Sequence, residues 1–139
     1  MVRPANSLIK KAAKVLETEN QVILAYLFGS TAKNQETTQS DIDIAILLSE
    51  TPENLLDLYL NMIDKLSTIL GDKIDLIILN TAPPLLTHQV IKHGKVIYCR
   101  DETARVKFES KAEKEYLDFK IYRDRYDKAF LKEISSWKD

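Results

Sequence analysis

Residues 29–48 read GSTAKNQETTQSDIDIAILL, and the organisation of the chain follows from the two ends of this stretch. Before it, Val22 to Phe28 (VILAYLF) is a continuous apolar run rich in strand formers that stops at Gly29-Ser30, the pattern of a buried strand meeting a turn. At its far end, Asp41 to Leu48 (DIDIAILL) reads as a second strand. Side chains alternate along a strand, so Ile42, Ile44 and Ile46 share one face while Asp41, Asp43 and Ala45 share the other. Two carboxylates at i and i+2 therefore project to the same side, where they repel each other unless cations lie between them.

Working outward, Leu8, Ile9, Ala12, Ala13 and Leu16 recur at helical spacing, with Asn6 or Ser7 as N-cap, and predict a first helix of about four turns. Thr51-Pro52 opens a second helix whose apolar stripe runs from Leu55 to Ile69 and which Gly71 ends. Lys73 to Leu79 (KIDLIIL) reads as a third strand. Pro83-Pro84 introduces a short helix, Leu85 to Lys92, and Gly94 closes it ahead of a last strand, Lys95 to Cys99. A further short helix is expected after Gly29-Ser30. Strands alternating with helices indicate an α/β sandwich, while strand order and the sense of each pairing stay open at this level. Residues 100–139 carry 11 basic and 10 acidic side chains with no Gly or Pro, which predicts one long helix. Tyr116, Phe119, Tyr122, Tyr126 and Phe130 are spaced to lie along one side of it.

Composition narrows the function. With 139 residues, 45% of them hydrophobic, the chain can bury one core and is expected to form one domain. Its formal charge of −1 offers no bulk attraction to phosphate backbones or anionic membranes, so direct nucleic-acid binding is not expected. Cys99 is the lone cysteine, which excludes an intrachain disulfide framework and fits a reducing cytoplasm. Neither a leader peptide nor an apolar run long enough to span a membrane is apparent, so a soluble, unprocessed chain is expected.

Asp75 is the only acid inside the third strand and would bring a third carboxylate beside Asp41 and Asp43 if the strands adjoin. Three acids on one sheet face need a counter-charge. Oxygen ligands favour Mg²⁺ or Mn²⁺, and two such ions roughly 3.5–4 Å apart clamp the attacking and leaving oxygens of an in-line phosphoryl displacement. One ion would be held by Asp41, Asp43 and Asp75 near the incoming hydroxyl, with Asp75 as general base; the other, held by Asp41 and Asp43, would bind a triphosphate. Gly29 lets backbone approach phosphate, Ser30 offers hydroxyl and amide donors, and Lys33 supplies a further charge.

Gly-Ser, ten residues, Asp-x-Asp and a later Asp in an apolar strand together resemble the signature of the DNA polymerase beta-like nucleotidyltransferase superfamily. The short length and long last helix resemble its minimal branch, the MNT antitoxins encoded beside HEPN ribonuclease toxins. That resemblance implies a mixed sheet of about four strands flanked by helices, with a catalytic core over about residues 20–100 and a C-terminal helix over about 102–135. It further implies transfer of AMP from ATP to a tyrosine of a HEPN toxin, with two Mg²⁺ ions on Asp41, Asp43 and Asp75 and the nucleotide at Gly29 and Ser30. Many members carry Arg-Gly where this chain has Lys33-Asn34, a departure at the phosphate contacts.

Blander readings attach to single residues. An isolated Asp-x-Asp often just begins a strand, and an acid such as Asp75 can mark a solvated strand end. His88 and His93 are ordinary surface or core positions by default, while Lys33, Arg100 and Arg105 could meet phosphate but are solvated surface positions by default. The aromatic stripe packs on its own domain in most helices of this kind, or else forms a partner surface, and the two can coexist. Two other activities share the motif: a small-molecule nucleotidyltransferase of the aminoglycoside type, and an antitoxin that binds without chemistry.

Overall fold

A computed structural model describes residues 5–28, 42–71 and 73–137. Its sheet has four strands: β1 (Val22–Phe28), β2 (Ile42–Leu48), β3 (Ile74–Ile78) and β4 (Lys95–Cys99). Their order is β3-β2-β1-β4. β1 lies antiparallel to both β2 and β4, whereas β2 and β3 run parallel, so the sheet is mixed. The parallel pair follows from its connection, because a 16-residue helix carries the chain from the end of β2 back to the start of β3.

Each face of the sheet is covered by two helices. On one side α1 (Ala5–Glu17) and α2 (Leu55–Leu70) bury Leu8, Leu16, Met62 and Leu66 against Ile42, Ile44, Ile46 and Leu48. The opposite side packs Leu24, Tyr26, Ala45 and Leu47 under α3 (Pro84–His93) and the start of α4 (Glu102–Ser136), through Val90 and Phe108. The two-residue alternation along β2 thus sends its isoleucines to the first core and Asp43, Ala45 and Leu47 to the second.

Helix boundaries depart from the sequence reading. α1 begins at Ala5, so Asn6 and Ser7 fall within its first turn instead of capping it. α2 starts three residues after Pro52: the Asn54 side chain accepts from Asp57 N–H and caps it, while Gly71, at φ 101°, ends it with its N–H bonded to the Ser67 carbonyl. β3 stops at Ile78 because Leu79–Thr81 tightens into a 3-10 turn. There Asn80 donates to Leu48 O at 2.9 Å and accepts from Leu48 N at 2.8 Å, continuing the β2 ladder with a side chain after β3 has ended. α4 is one helix of 35 residues, capped by Asp101 through Ala104 N–H. Among the described residues no helix is long and apolar enough to cross a membrane.

Candidate active site

Asp43 and Asp75 are paired positions in the parallel ladder between β2 and β3. Both occupy alternate positions with residues of the second core, Asp43 with Ala45 and Leu47, Asp75 with Ile77, so their side chains emerge from the same sheet face. On its other flank Asp43 pairs with Phe28, the last residue of β1. The strand end that leads into Gly29-Ser30 and the two acids therefore meet at one end of the sheet. Asp43 is half-buried and Asp75 exposed, which suits one ligand set in the wall of a site and another at its mouth.

Gly29, Ser30, Lys33 and Asp41, with the short helix expected after Ser30, lie outside the described residues. Among the described residues no group of three possible metal ligands comes together. What is described is two of the three expected acids, a half-buried and an exposed carboxylate side by side. Carboxylate oxygens at neighbouring strand positions are the donors that a hard divalent cation takes.

A second polar cluster sits on the same face. Tyr26, buried in β1 opposite Ala45, donates to Glu109 Oε2 of α4 at 2.6 Å. Glu109 Oε1 accepts from Arg105 at 2.9 Å, and Arg105 also bonds Glu102 at 2.8 Å. Burial first, and then the bond to Glu109, push the Tyr26 hydroxyl well above the usual tyrosine range. Glu102 is held below the carboxylate range by Arg105 and then by Cys99, while burial and the bond to Glu102 raise the Cys99 thiol. Sequence reasoning left Arg105 as a solvated residue and passed over Tyr26 and Glu109. One signal was available, because a phenol within an apolar strand requires a buried partner. Farther along α4, Tyr116 stacks on the His88 ring at 3.7 Å, and Glu113 lies 3.4 Å from His88 Nδ1, an acidic partner the sequence did not reveal.

A groove of about 410 Å³ between α1 and α2, lined by Lys14, Thr18, Asp64 and Thr68 among others, opens on the sheet face away from these acids. It has no part in the candidate site.

The family model for the polymerase beta nucleotidyltransferase domain matches residues 10–103, the span from within α1 to the start of α4. The chain belongs to the polymerase beta nucleotidyltransferase family. Within that family, it is 37% identical over 75 residues to the protein adenylyltransferase MntA of Shewanella oneidensis, covering 54% of this chain and 52% of MntA. A Methanocaldococcus jannaschii protein named as a candidate protein adenylyltransferase, MJ0128, is 39% identical over 71 residues, 51% of this chain and 70% of its own length. In three dimensions, a toxin–antitoxin crystal structure with AMP-PNP matches with a TM-score of 0.74 at 27% identity, over 88% of this chain and 98% of that one. The MNT antitoxin in complex with the tri-AMPylated Shewanella oneidensis HEPN toxin matches with a TM-score of 0.71 at 26% identity, over 92% and 99%. The fold of this family member is thus the mixed four-stranded sheet with a long last helix that its sequence implied.

Proposed function

We propose that the chain is an Mg²⁺-dependent protein adenylyltransferase, the antitoxin of a HEPN/MNT pair, and that it transfers AMP from ATP to a tyrosine of its HEPN ribonuclease toxin. The observation that carries this reading is the opposed pair Asp43 and Asp75, set at the end of β1 in a fold shared with antitoxins solved beside an ATP analogue or an AMPylated toxin.

In this reading Asp41, Asp43 and Asp75 would hold two Mg²⁺ ions, which would supply positive charge to neutralise the triphosphate and the charge developing on the attacking and leaving oxygens. The Gly29-Ser30 turn cradles the phosphates with backbone and hydroxyl donors, and Lys33 adds a cation. Asp75, on the exposed side of the acid pair, accepts the proton of the acceptor tyrosine. The tyrosine oxygen forms a bond to the α-phosphorus as the bond from that phosphorus to the bridging oxygen of pyrophosphate breaks, and pyrophosphate leaves. The single cysteine and the use of ATP support a cytoplasmic location.

Incubation of the purified protein with radiolabelled ATP, Mg²⁺ and the product of the neighbouring gene tests this. Label is expected on a tyrosine of that product. Binding of ATP without transfer would count against the reading. If Asp41→Asn with Asp43→Asn still neutralises the partner fully, chemistry is dispensable.

A further inference from the structure

The proposed reaction consumes a phenolic hydroxyl, and the chain carries six of its own. Five of those tyrosines are engaged. Tyr26 is buried and gives its proton to Glu109. Tyr59 and Tyr98 are half-buried against the first core. Tyr116 stacks on His88 at 3.7 Å, and Tyr126 on Phe130 at 6.5 Å with the planes 6° apart. Tyr122 is the exception. It is 72% exposed, more open than any other large apolar or aromatic side chain among the described residues. Among those residues it takes part in no hydrogen bond or ring contact. Attack on a phosphate requires the oxygen to come within about 3–3.5 Å of the phosphorus, and a ring with no contacts to give up reaches that position most readily.

The place of Tyr122 on α4 decides which site it can enter. The first half of the helix is fixed to the domain, with Ala112 buried and Tyr116 against α3. Tyr122 lies six residues farther on, about 9 Å along the axis at 1.5 Å per residue. Over residues 120–137 only Arg123 and Ile134 fall short of full exposure, so the domain's own surface stops short of this ring. No Gly or Pro interrupts residues 100–139, and an unbroken helix has no hinge to swing Tyr122 back onto its own acids. A separate molecule meets no such constraint. Asp75, the proposed proton acceptor, is exposed, so a ring standing on another molecule's projecting helix can approach it.

We propose that Tyr122 is an AMP acceptor for a second copy of this chain, so that the protein adenylylates itself in trans on the distal half of α4. The proposal rests on the adenylyltransferase reading and adds an acceptor to it. The Tyr122 oxygen forms a bond to the α-phosphorus of ATP held by the second copy. The bond from that phosphorus to the bridging oxygen of pyrophosphate breaks, pyrophosphate leaves with the electron pair, and the phenolic proton passes to Asp75 of the second copy. The product is a phosphodiester that places a negative charge and a nucleotide on α4.

The purified chain incubated with radiolabelled ATP and Mg²⁺, with no other protein present, tests this once labelled peptides are mapped by mass spectrometry. Label is expected on Tyr122, at a rate per molecule that rises with protein concentration. Tyr122→Phe should lose self-labelling and still label the product of the neighbouring gene as wild type does, while Tyr126→Phe keeps both. In a mixture of Tyr122→Phe with the Asp41→Asn, Asp43→Asn chain, label should appear on the second chain alone. A wild-type chain that labels the neighbouring product but not itself, or itself at another residue, overturns the assignment and leaves the adenylyltransferase reading standing. A rate per molecule independent of concentration, with no label passed in the mixture, places the transfer within one chain and overturns the second copy as donor. A wild-type chain that labels neither itself nor the neighbouring product overturns the functional reading and this assignment with it.

Discussion

The phenolic proton of Tyr26 is given to Glu109, 83 residues later in the chain, across the seam between β1 and α4. Glu109 in turn is held by Arg105, so a strand and a helix are joined by a part-buried, charge-assisted bond. Tyr26→Phe keeps the ring and removes the donor. A loss of about 1.5–3 kcal/mol in urea unfolding is expected, the range for a hydrogen bond to a charged group.

The same residue sets an alkaline limit on stability. Folding raises the Tyr26 hydroxyl above its ordinary value, so its contribution is complete below pH about 10. Above that pH the unfolded chain ionises first, and stability declines until the folded hydroxyl itself titrates. Tyr26→Phe should show a shallower alkaline limb in melts followed by circular dichroism from pH about 9 to 11. An unchanged limb would mean that Tyr26 does not control it.

Gly94 leaves no room for a side chain. A Cβ there would lie 2.3 Å from the Val90 carbonyl and 3.3 Å from that of Leu27, both backbone atoms that cannot turn aside. Gly94→Ala is expected to cost about 1–3 kcal/mol by overpacking, read as a lower urea midpoint.

Asn80 supplies both a donor and an acceptor to Leu48. Asn80→Ala leaves those half-buried backbone groups to water or to no partner, at a cost of about 1–3 kcal/mol. Hydrogen exchange should accelerate at the Leu48 amide, while amides in the middle of β1 keep their protection.

Asp75→Asn separates chemistry from folding. Asp75 is exposed, so the melting temperature should hold within a degree or two, whereas AMP transfer should drop about 10²–10⁴-fold if Asp75 is the general base proposed above. Chelation of divalent ions should abolish transfer by the wild type, and Mg²⁺ or Mn²⁺ should restore it. Transfer that survives chelation would remove the metal from the scheme.

Local sequence revealed some of this more readily than the rest. β1 and β4 are legible to the residue, because each is a short apolar run ended by turn residues or flanked by Gly94. Helix starts are less so, since several residues near each start can cap. Pro52 and Asn54 compete at α2, and Asn54 prevails through its bond to Asp57 N–H, a geometry that composition does not rank. The apposition of Asp43 and Asp75 depends on β3 lying parallel beside β2; the resemblance implies Asp75 as the third acid, but strand order and the sense of the pairing are left open. For Tyr26 and Glu109, no periodicity links residues on a strand and a distant helix. In α4 the spacing of the aromatics correctly placed them on one side, but spacing carries no information on where the supporting domain stops. Tyr116 and Phe119 are half-buried, while Tyr122, Tyr126 and Phe130 are exposed.

Among the described residues β3 lies at the rim of the sheet and is bonded to one neighbour, β2. Fraying of that short strand would carry Asp75 away while Asp43 stayed paired with Phe28 of β1. With the roles proposed above, such an assembly would keep its inner carboxylate, Asp43, in place and withdraw the proton acceptor for as long as the rim is open, which ties the proposed chemical step to the least anchored strand of the sheet.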